Sequence, residues 1–294
     1  MKDGQTLEPI ICTENLTYVY SAGTPFEHVA IRDVDFTAYP GEYLCVIGHT
    51  GSGKSTFIQH LNGLLKPASG RVLFQGEDIH KSKAFTRDVR FQVGLVFQYP
   101  EYQLFEETCY KDIAFGPKNM GLAQEEIDRR VHMAAAMADL DEELLAKQPF
   151  DLSGGQKRRV AIAGVMAMQP RVLILDEPTA GLDPDSRAEV LRNVDNYRRA
   201  MGACIIMVSH SMEDAARNAD RIFVFHDGKL DLTGTPAEVF RQSERLLEMG
   251  LTIPVAAQVA IGLRQRGLEL PGDIYTNEQL IRALLDRKGG DPGA

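Results

Sequence analysis

A chain of 294 residues is long enough for one large domain or two smaller ones, and its 44% hydrophobic and 25% charged content is typical of globular proteins. The net charge of −9 argues against a nucleic-acid surface as the dominant feature. The four cysteines form no C-x-x-C pair, so neither a disulfide framework nor a zinc site is expected. Residues 1–6 lack the apolar core of a signal peptide, and no apolar run approaches the roughly 20 residues that cross a bilayer.

Predicted strands and helices alternate along most of the chain. Two β-rich segments at 10–20 and 29–39 come first, separated by a turn region. Further strands are predicted at 43–47, 70–75, 93–98, 172–176, 204–209 and 222–225. Helices are predicted at 57–61, 185–201 and 212–219, and 108–168 is predicted to be mostly helical. This alternation indicates an α/β fold with parallel strands.

The β pattern fades beyond about residue 234, and short helical segments follow. Thr235-Pro236 predicts a helix start, because proline is favoured at the first helical position. We therefore predict a main domain at 7–240, with a helical subdomain at about 100–168. Residues 241–294 are predicted to form a small helical appendage that ends in an unstructured Gly/Pro tail at 289–294.

Residues 48–55, GHTGSGKS, fit the P-loop pattern G-x-x-x-x-G-K-[ST], and a predicted strand and helix flank them as that pattern requires. The glycines let backbone N–H groups point inward around phosphate oxygens. Lys54 is predicted to reach the β- and γ-phosphates, and the Ser55 hydroxyl to bind Mg²⁺. The predicted nucleotide-binding residues here are Gly48, His49, Thr50, Gly51, Ser52, Gly53, Lys54, Ser55 and Thr56.

Asp176 and Glu177 end the apolar strand predicted at 172–176. Two acidic residues at a strand end are by default solvated. Beside a P-loop, however, Asp176 suits contact with Mg²⁺ and Glu177 suits polarisation of the attacking water. The pair is therefore predicted to belong to the hydrolytic site.

A second phosphate cradle is predicted at residues 152–156, LSGGQ, immediately before a helix. Ser153 is a good N-cap, the glycines allow close approach, and anions bind at helix N-termini. One chain seldom needs two cradles for one nucleotide, so this one is predicted to serve the ATP of a partner protomer. The residues concerned are Ser153, Gly154, Gly155 and Gln156. The basic run 157–159 is predicted to be charge on the helix face.

The P-loop, the LSGGQ run and the strand ending in Asp176-Glu177, in this order, resemble the nucleotide-binding subunits of ATP-binding cassette (ABC) transporters. The resemblance covers roughly residues 7–234. It implies an α/β fold of the P-loop NTPase class, with a mixed β-sheet, a helical subdomain and the C-terminal appendage. It also implies ATP hydrolysis, with ATP and Mg²⁺ bound.

The resemblance assigns roles to further residues. Gln98 matches the glutamine that contacts Mg²⁺ or water, Asp183 lies in the D-loop that links two sites, and His210 matches the switch histidine at the γ-phosphate. The implied catalytic residues are Glu177, His210, Gln98 and Lys54, and the implied metal ligands are Ser55, Gln98 and Asp176. Tyr20 is the best match for the aromatic residue that stacks on adenine, with Tyr18 and Phe26 as alternatives.

A narrower resemblance rests on the amino-acid sequence around and after Gln98. Residues 97–105, FQYPEYQLF, and 112–119, DIAFGPKN, are similar to the ATPase subunits of energy-coupling factor (ECF) transporters, which import vitamins and metal ions. The first segment resembles the second of the two paralogous ATPases in such complexes. Three partners are implied: a paralogous ATPase in a heterodimer, a transmembrane scaffold protein docking near residues 98–105, and a substrate-capture membrane protein. The implied location is peripheral, on the cytoplasmic face of the cell membrane, and 241–294 would help to hold the ATPases together.

Other interpretations stay open at this level. The chain could be the ATPase of another ABC importer, or a non-transport ABC protein acting on ribosomes or DNA. Proteins of the latter kind usually carry tandem cassettes, a coiled-coil insert or a basic surface, none of which is present, so no nucleic-acid partner is expected.

The aromatic side chains around Gln98 have two interpretations. The aromatic residues from Phe97 to Phe115 either fill the core of the helical subdomain or line a groove that accepts an apolar helix with basic head groups. The second case would use the interleaved acids Glu101, Glu106 and Glu107. The remaining histidines show no metal-ligand spacing and are predicted to be structural or solvated; they are His28, His60, His80, His132 and His226.

Overall fold

The structure is a computed structural model that describes residues 8–288, with side chains described through residue 286. The described chain divides into two compact units, one of residues 8–42 with 55–208 and the other of residues 43–54 with 209–288. The predicted division near residue 240 stays a prediction, because the second unit contains residues on both sides of it. The predicted features at 1–6 and 289–294 lie outside the described residues.

The first unit contains an antiparallel sheet in the strand order β2-β1-β4-β5. Its strands are β1 (Ile11–Tyr20), β2 (His28–Ala38), β4 (Ser69–Phe74) and β5 (Glu77–Asp78). The register of β1 and β2 runs from Tyr20 opposite His28 to Ile11 opposite Ala38, with bulges between. The two β-rich segments predicted at the N-terminus therefore pair with each other.

The same unit contains three parallel strands, in the order β8-β7-β6. They are β6 (Val93–Val96), β7 (Val172–Asp176) and β8 (Cys204–Val208). Every residue of β7 and β8 is buried, as expected of parallel strands that are covered on both faces. The buried β7 carries Asp176 to its carboxyl end, where ligand sites of parallel α/β sheets form.

Helices account for most of the rest of this unit. They are α1 (Lys54–Leu61), which begins at the last residue of the segment 43–54, α2 (Lys83–Gln92), α3 (Cys109–Asn119), α4 (Gln124–Met137), α5 (Glu142–Ala146), α6 (Gly154–Met166) and α7 (Pro184–Met201). Short 3₁₀ helices lie at Pro100–Gln103 and Pro149–Asp151. The mostly helical segment predicted at 108–168 is confirmed.

The second unit contains three strands in the order β10-β9-β3. They are β3 (Tyr43–Gly48), β9 (Arg221–His226), which runs parallel to β3, and β10 (Lys229–Gly234), which is antiparallel to β9. The helices are α8 (Met212–Asn218), α9 (Pro236–Arg241), α10 (Ser243–Glu248), α11 (Val255–Gln265) and α12 (Asn277–Lys288). Ala256, Ala260 and Ile274 form a small core between the last helices. Among the described residues, no helix combines the length and apolarity that a membrane crossing requires.

Candidate functional site

The phosphate loop follows β3 in the second unit, and its lysine is held in place by the loop itself. Lys54 is 5% exposed, and its Nζ donates hydrogen bonds to the carbonyl oxygens of Gly48 at 2.8 Å and His49 at 2.9 Å. Gly51 and Gly53 take positive φ angles of 82° and 101°. The loop thus folds around the ammonium group of Lys54, an arrangement that suits the binding of phosphate oxygens.

Glycine is required at the start of this loop because of close backbone packing. A Cβ atom at Gly48 would lie 2.4 Å from the carbonyl oxygen of Phe225 and 2.6 Å from Oγ of Ser52. The Ser52 hydroxyl is buried and has no hydrogen-bond partner among the described residues. A phosphate oxygen is a suitable acceptor for such a hydroxyl.

In the first unit, the structure brings Glu177 and Gln98 together. Gln98 Nε2 donates a 2.9 Å hydrogen bond to Glu177 Oε2. Glu177 follows β7 with a φ of +48°, and its N–H donates to the carbonyl oxygen of Val208 at 3.0 Å. The preceding Asp176 is 6% exposed. A carboxylate positioned by an amide, next to a buried second carboxylate, can orient and deprotonate a water molecule.

The residues predicted to bind Mg²⁺ offer suitable ligands. Ser55, Gln98 and Asp176 all belong to the first unit and supply a hydroxyl, an amide oxygen and a carboxylate. Mg²⁺ prefers such hard oxygen ligands and keeps several waters when it binds nucleotide. The donor set therefore fits the ion.

Tyr20 lies beside the helix that follows the phosphate loop. Its hydroxyl is 3.2 Å from Oγ1 of Thr56, and its ring packs edge-on against Tyr18 with the ring centroids 4.9 Å apart. Phe26 is 83% exposed, in the turn between β1 and β2. The contact with Thr56 favours Tyr20 as the residue nearest to a bound base, and its stacking role stays a prediction.

The LSGGQ segment begins α6 with a capping box. The Ser153 hydroxyl accepts from the N–H of Gln156 at 3.3 Å, and the Gln156 side chain accepts from the N–H of Ser153 at 3.0 Å. Ser153 and Gly154 are exposed at this N-terminus. The reciprocal bonds fix the helix end, and its exposed N-terminus has the character that an anion site requires.

Asp183 begins α7 as its N-cap. Its carboxylate accepts from the N–H groups of Asp185 at 3.1 Å and Ser186 at 3.0 Å. These hydrogen bonds, the one from Ser186 above all, lower the pKa of Asp183 below its usual value. His210 is exposed, in the second unit, two residues after the end of β8. The roles assigned to both residues stay predictions.

The prediction that the basic run 157–159 is surface charge is wrong for Arg158, which is 2% exposed. Its guanidinium binds Glu101 through Nε at 3.0 Å and Nη2 at 2.6 Å. Nη1 donates to the carbonyl oxygens of Pro178 at 3.1 Å and Ala180 at 2.6 Å. Arg158 thus joins α6 both to the 3₁₀ helix after Gln98 and to the turn after Glu177.

One signal in the sequence could have revealed this buried arginine. Arg158 lies four residues before Ile162 and eight before Met166, both of which are buried on α6. Residues at this spacing share one face of a helix, so Arg158 occupies the apolar face rather than the charged one.

Two of the aromatic residues that follow Gln98, Phe105 and Phe115, line an open groove of about 410 Å³ together with Leu104 and Val160. Phe105 and Phe115 contact each other edge-on, with ring centroids 5.0 Å apart, and Tyr102 is 84% exposed nearby in sequence. The N–H groups of Phe105 and Glu106 donate to the buried Asp112, which holds this loop in place. Burial raises the pKa of Asp112 above its usual value. The aromatic residues of this loop therefore do not fill a core.

Glu101 does not face the groove as an acid available to basic head groups. Its carboxylate is occupied by Arg158, and its side chain is 14% exposed. Glu107 pairs with Lys111 on the exposed side of α3. The predicted use of Glu101 by a basic partner is therefore wrong, and the groove is chiefly apolar.

Comparison with known proteins places this geometry in a family. The family model described as ABC transporter matches residues 31–180. The energy-coupling factor transporter ATP-binding protein EcfA2 of Caldanaerobacter subterraneus subsp. tengcongensis is 53% identical, over 94% of this chain and 96% of that protein. The EcfA2 protein of Clostridium perfringens is 52% identical, over 93% and 96%.

Solved structures agree with the fold. The structure of cbiO1 from Clostridium perfringens, part of the ABC transporter complex cbiONQ, has a TM-score of 0.73 and 40% identity, covering 82% of this chain and 94% of that one. A dimeric bacterial ABC transporter cassette, MJ0796, has a TM-score of 0.69 and 27% identity, covering 77% and 98%. The expected α/β ABC nucleotide-binding fold is confirmed.

The chain therefore belongs to the ABC transporter family, and its activity is that of an ABC transporter ATPase. Within that family it belongs to the energy-coupling factor transporter ATP-binding proteins of the EcfA2 type. The narrower resemblance of the FQYPEYQLF segment is thereby confirmed, and the two alternative functions are not needed.

Proposed function

We propose that this chain is the motor subunit of an energy-coupling factor transporter that imports vitamins or metal ions, working at the cytoplasmic face of the cell membrane. The observation that carries the proposal is the hydrogen bond between Gln98 and Glu177, since it joins the segment beside the groove to the acidic pair after β7. A movement of that segment would therefore shift the carboxylate of Glu177, which is proposed to act in hydrolysis.

In the proposed hydrolysis, Glu177 takes a proton from the attacking water, while Gln98 and His210 contact the reacting end of the nucleotide. Lys54 and the loop N–H groups would bind phosphate oxygens, and Ser55, Gln98 and Asp176 would hold Mg²⁺. When bound, Mg²⁺ neutralises charge on the β- and γ-phosphates. Tyr20 would stack on adenine. The geometry described above supports the roles of Lys54, Glu177 and Gln98, whereas those of His210 and Tyr20 rest on the family resemblance.

The groove beside Phe105 and Phe115 is proposed to receive a helix of a transmembrane scaffold protein. Its size of about 410 Å³ and its apolar wall suit a helix that presents large apolar side chains. The bond network of Asp112 holds the groove loop, which lowers the entropy lost on docking. The captured substrate would be held by a separate membrane protein.

The second ATPase of the complex is proposed to be a paralogue. It would bring the nucleotide bound at its own phosphate loop to the LSGGQ segment of this chain, whose helix end is exposed. We propose the cassette at 7–240, with its helical subdomain at about 100–168, and a dimerisation appendage at 241–294. The small core of Ala256, Ala260 and Ile274 supports an appendage with its own packing.

The docking surface is proposed to include the segment 98–105 beside the groove, and the proposal is tested by truncating one exposed aromatic residue of that segment. Tyr102→Ala should weaken capture of the co-expressed scaffold protein by about 30-fold, since an aromatic anchor at an interface is worth about 2 kcal/mol. Phe26→Ala is the matched control, because Phe26 is 83% and Tyr102 84% exposed. Both variants should melt at the temperature of the unchanged protein.

Two results would count against the proposed groove. Equal loss of scaffold binding in Tyr102→Ala and Phe26→Ala would show that surface aromatics act non-specifically. A lower melting temperature of the isolated Tyr102→Ala subunit, with binding lost only in proportion, would show that this residue stabilises the fold instead. Stimulation of ATP turnover by ribosomes or DNA, without any membrane scaffold, would overturn the transport function itself.

A further inference from the structure

Three potential metal ligands meet at the foot of the phosphate loop in the second unit. They are His49, His226 and Asp227, and their ligand atoms all lie within 4.8 Å of one another. The parallel pairing of β3 with β9 sets Gly48 opposite Phe225. His49, which follows β3, and His226, the last residue of β9, therefore lie side by side. We propose that these three residues bind a divalent transition-metal ion.

The hydrogen bonding of His49 leaves the correct nitrogen available. His49 Nδ1 lies 2.9 Å from the carbonyl oxygen of Thr50, so this nitrogen must carry the proton. Nε2 of the neutral ring then holds a lone pair, and it lies 3.5 Å from Oδ1 of Asp227. With Nε2 deprotonated, two acceptors face each other, and a metal ion between them would turn this repulsion into attraction. A backbone carbonyl on the opposite ring nitrogen is the usual support for a metal-binding histidine.

The distances match a small tetrahedral ion. Ligand atoms that lie 2.0–2.1 Å from one tetrahedral Zn²⁺ are about 3.3 Å apart. The pair from His49 and Asp227 already has this spacing. The ring of His226 stands at 78° to that of His49, with centroids 5.4 Å apart, and its ligand nitrogen lies within 4.8 Å of the other two ligand atoms.

The backbone that carries the ligands is firmly connected. Asp227 and Gly228 have φ angles of 46° and 75°, which form the tight turn between His226 and its ladder partner Lys229. The N–H of Gly228 donates to the carbonyl oxygen of Ser52 at 3.1 Å, so the turn is bound to the phosphate loop. A metal ion here would add a second connection between the same two segments.

The ligand set selects the class of metal. Two imidazole nitrogens and one carboxylate suit Zn²⁺, Co²⁺ or Ni²⁺, whereas Mg²⁺ and Ca²⁺ prefer oxygen ligands alone. The carboxylate of Asp227 is 77% exposed, which leaves an entry path and room for a water as the fourth ligand. None of the three residues is among the oxygen ligands proposed for the magnesium of the nucleotide.

The test uses the full chain, stripped of metal and free of nucleotide, with Zn²⁺ titrated against a chromophoric chelator. One Zn²⁺ per chain is expected. His226→Ala and Asp227→Asn should each weaken binding by about 10-fold or more. Asparagine tolerates the left-handed backbone at 227, so that turn should survive. His132→Ala is the control, because His132 also faces a carboxylate, that of Glu142 at 3.3 Å, yet among the described residues it belongs to no group of three potential metal ligands.

Melting provides a readout that does not depend on ATP hydrolysis. A saturating amount of Zn²⁺ should raise the melting temperature of the unchanged protein and of His132→Ala, and should leave that of His226→Ala and Asp227→Asn where it is without metal. The proposal is wrong if the unchanged protein binds no Zn²⁺, if both site variants bind it as tightly as before, or if His132→Ala abolishes the binding.

Discussion

Arg158 and Glu101 form a buried bidentate ion pair, with N–O distances of 2.6 and 3.0 Å. The two residues are 57 positions apart in the sequence. The remaining guanidinium nitrogen binds two backbone carbonyls in the turn after Glu177. The Tyr99 ring lies 5.8 Å from the guanidinium carbon and adds a cation–π contact. One side chain therefore connects the segment after Gln98, the LSGGQ helix and the turn after Glu177.

The first prediction concerns this pair. Arg158→Met should lower the free energy of unfolding by about 3–5 kcal/mol, because it leaves a buried carboxylate and two carbonyls without a donor. Arg192→Met is the control. Its exposed pair with Asp139, at 3.4 Å, should contribute no more than about 1 kcal/mol. Urea unfolding of both variants measures the difference, and equal midpoints would contradict the network.

The second prediction concerns the carboxylate after β7. Glu177→Gln should keep nucleotide binding and lose about 10²–10⁴-fold in ATP turnover, because an amide cannot accept the proton of water. Its carbonyl oxygen can still accept the hydrogen bond from Gln98. Turnover at saturating Mg-ATP in the assembled complex is the measurement, with Lys54→Ala as a contrast that should weaken binding itself. Near-normal turnover would remove Glu177 from the proposed role.

The third prediction separates the structural and functional roles of a helix cap. Ser153→Ala and Thr235→Ala each remove the hydroxyl of a capping box, on α6 and α9 respectively. Both should cost about 1 kcal/mol of stability. Only Ser153→Ala should also slow ATP turnover in the assembled complex, because its helix end is proposed to contact the partner's nucleotide. Equal turnover in the two variants would leave Ser153 with a capping role alone.

The fourth prediction concerns thiol reactivity. Burial raises the pKa of Cys109 to about 11, and it raises the pKa of Cys45 further above the usual range. Cys12 is only half-buried, and its pKa is raised by burial and by Glu14. Because the thiolate is the reactive form, alkylation at pH 8 should label Cys12 first and spare Cys45 and Cys109. Peptide mapping measures the order, and urea should make all four thiols react.

Much of the fold and site could be predicted because the signals are local. The phosphate loop is fixed by eight consecutive residues, and β7 and β8 are continuous apolar runs of strand length. Helix α2 was not predicted, because it is polar overall and only Val89 on it is buried, although its few apolar residues share one face. Even so, its N-cap Ser82 makes the expected hydrogen bond.

What could not be predicted depends on contacts between distant segments. The sequence around Arg158 does not show that Glu101 will face it. Likewise, His49 directly follows β3 and His226 ends β9, and most of the chain lies between them. Their meeting follows from strand pairing and helix packing, which single-residue types and short spacings do not encode.

The left-handed backbone of Glu177 sets stability against activity. At a φ of +48°, glycine or asparagine would relieve strain that glutamate retains. A selection for thermal stability alone should therefore enrich Glu177→Gly and Glu177→Asn, and those survivors should be slow ATPases. The strained backbone at Glu177 is thus the structural cost of a glutamate carboxylate directly after β7.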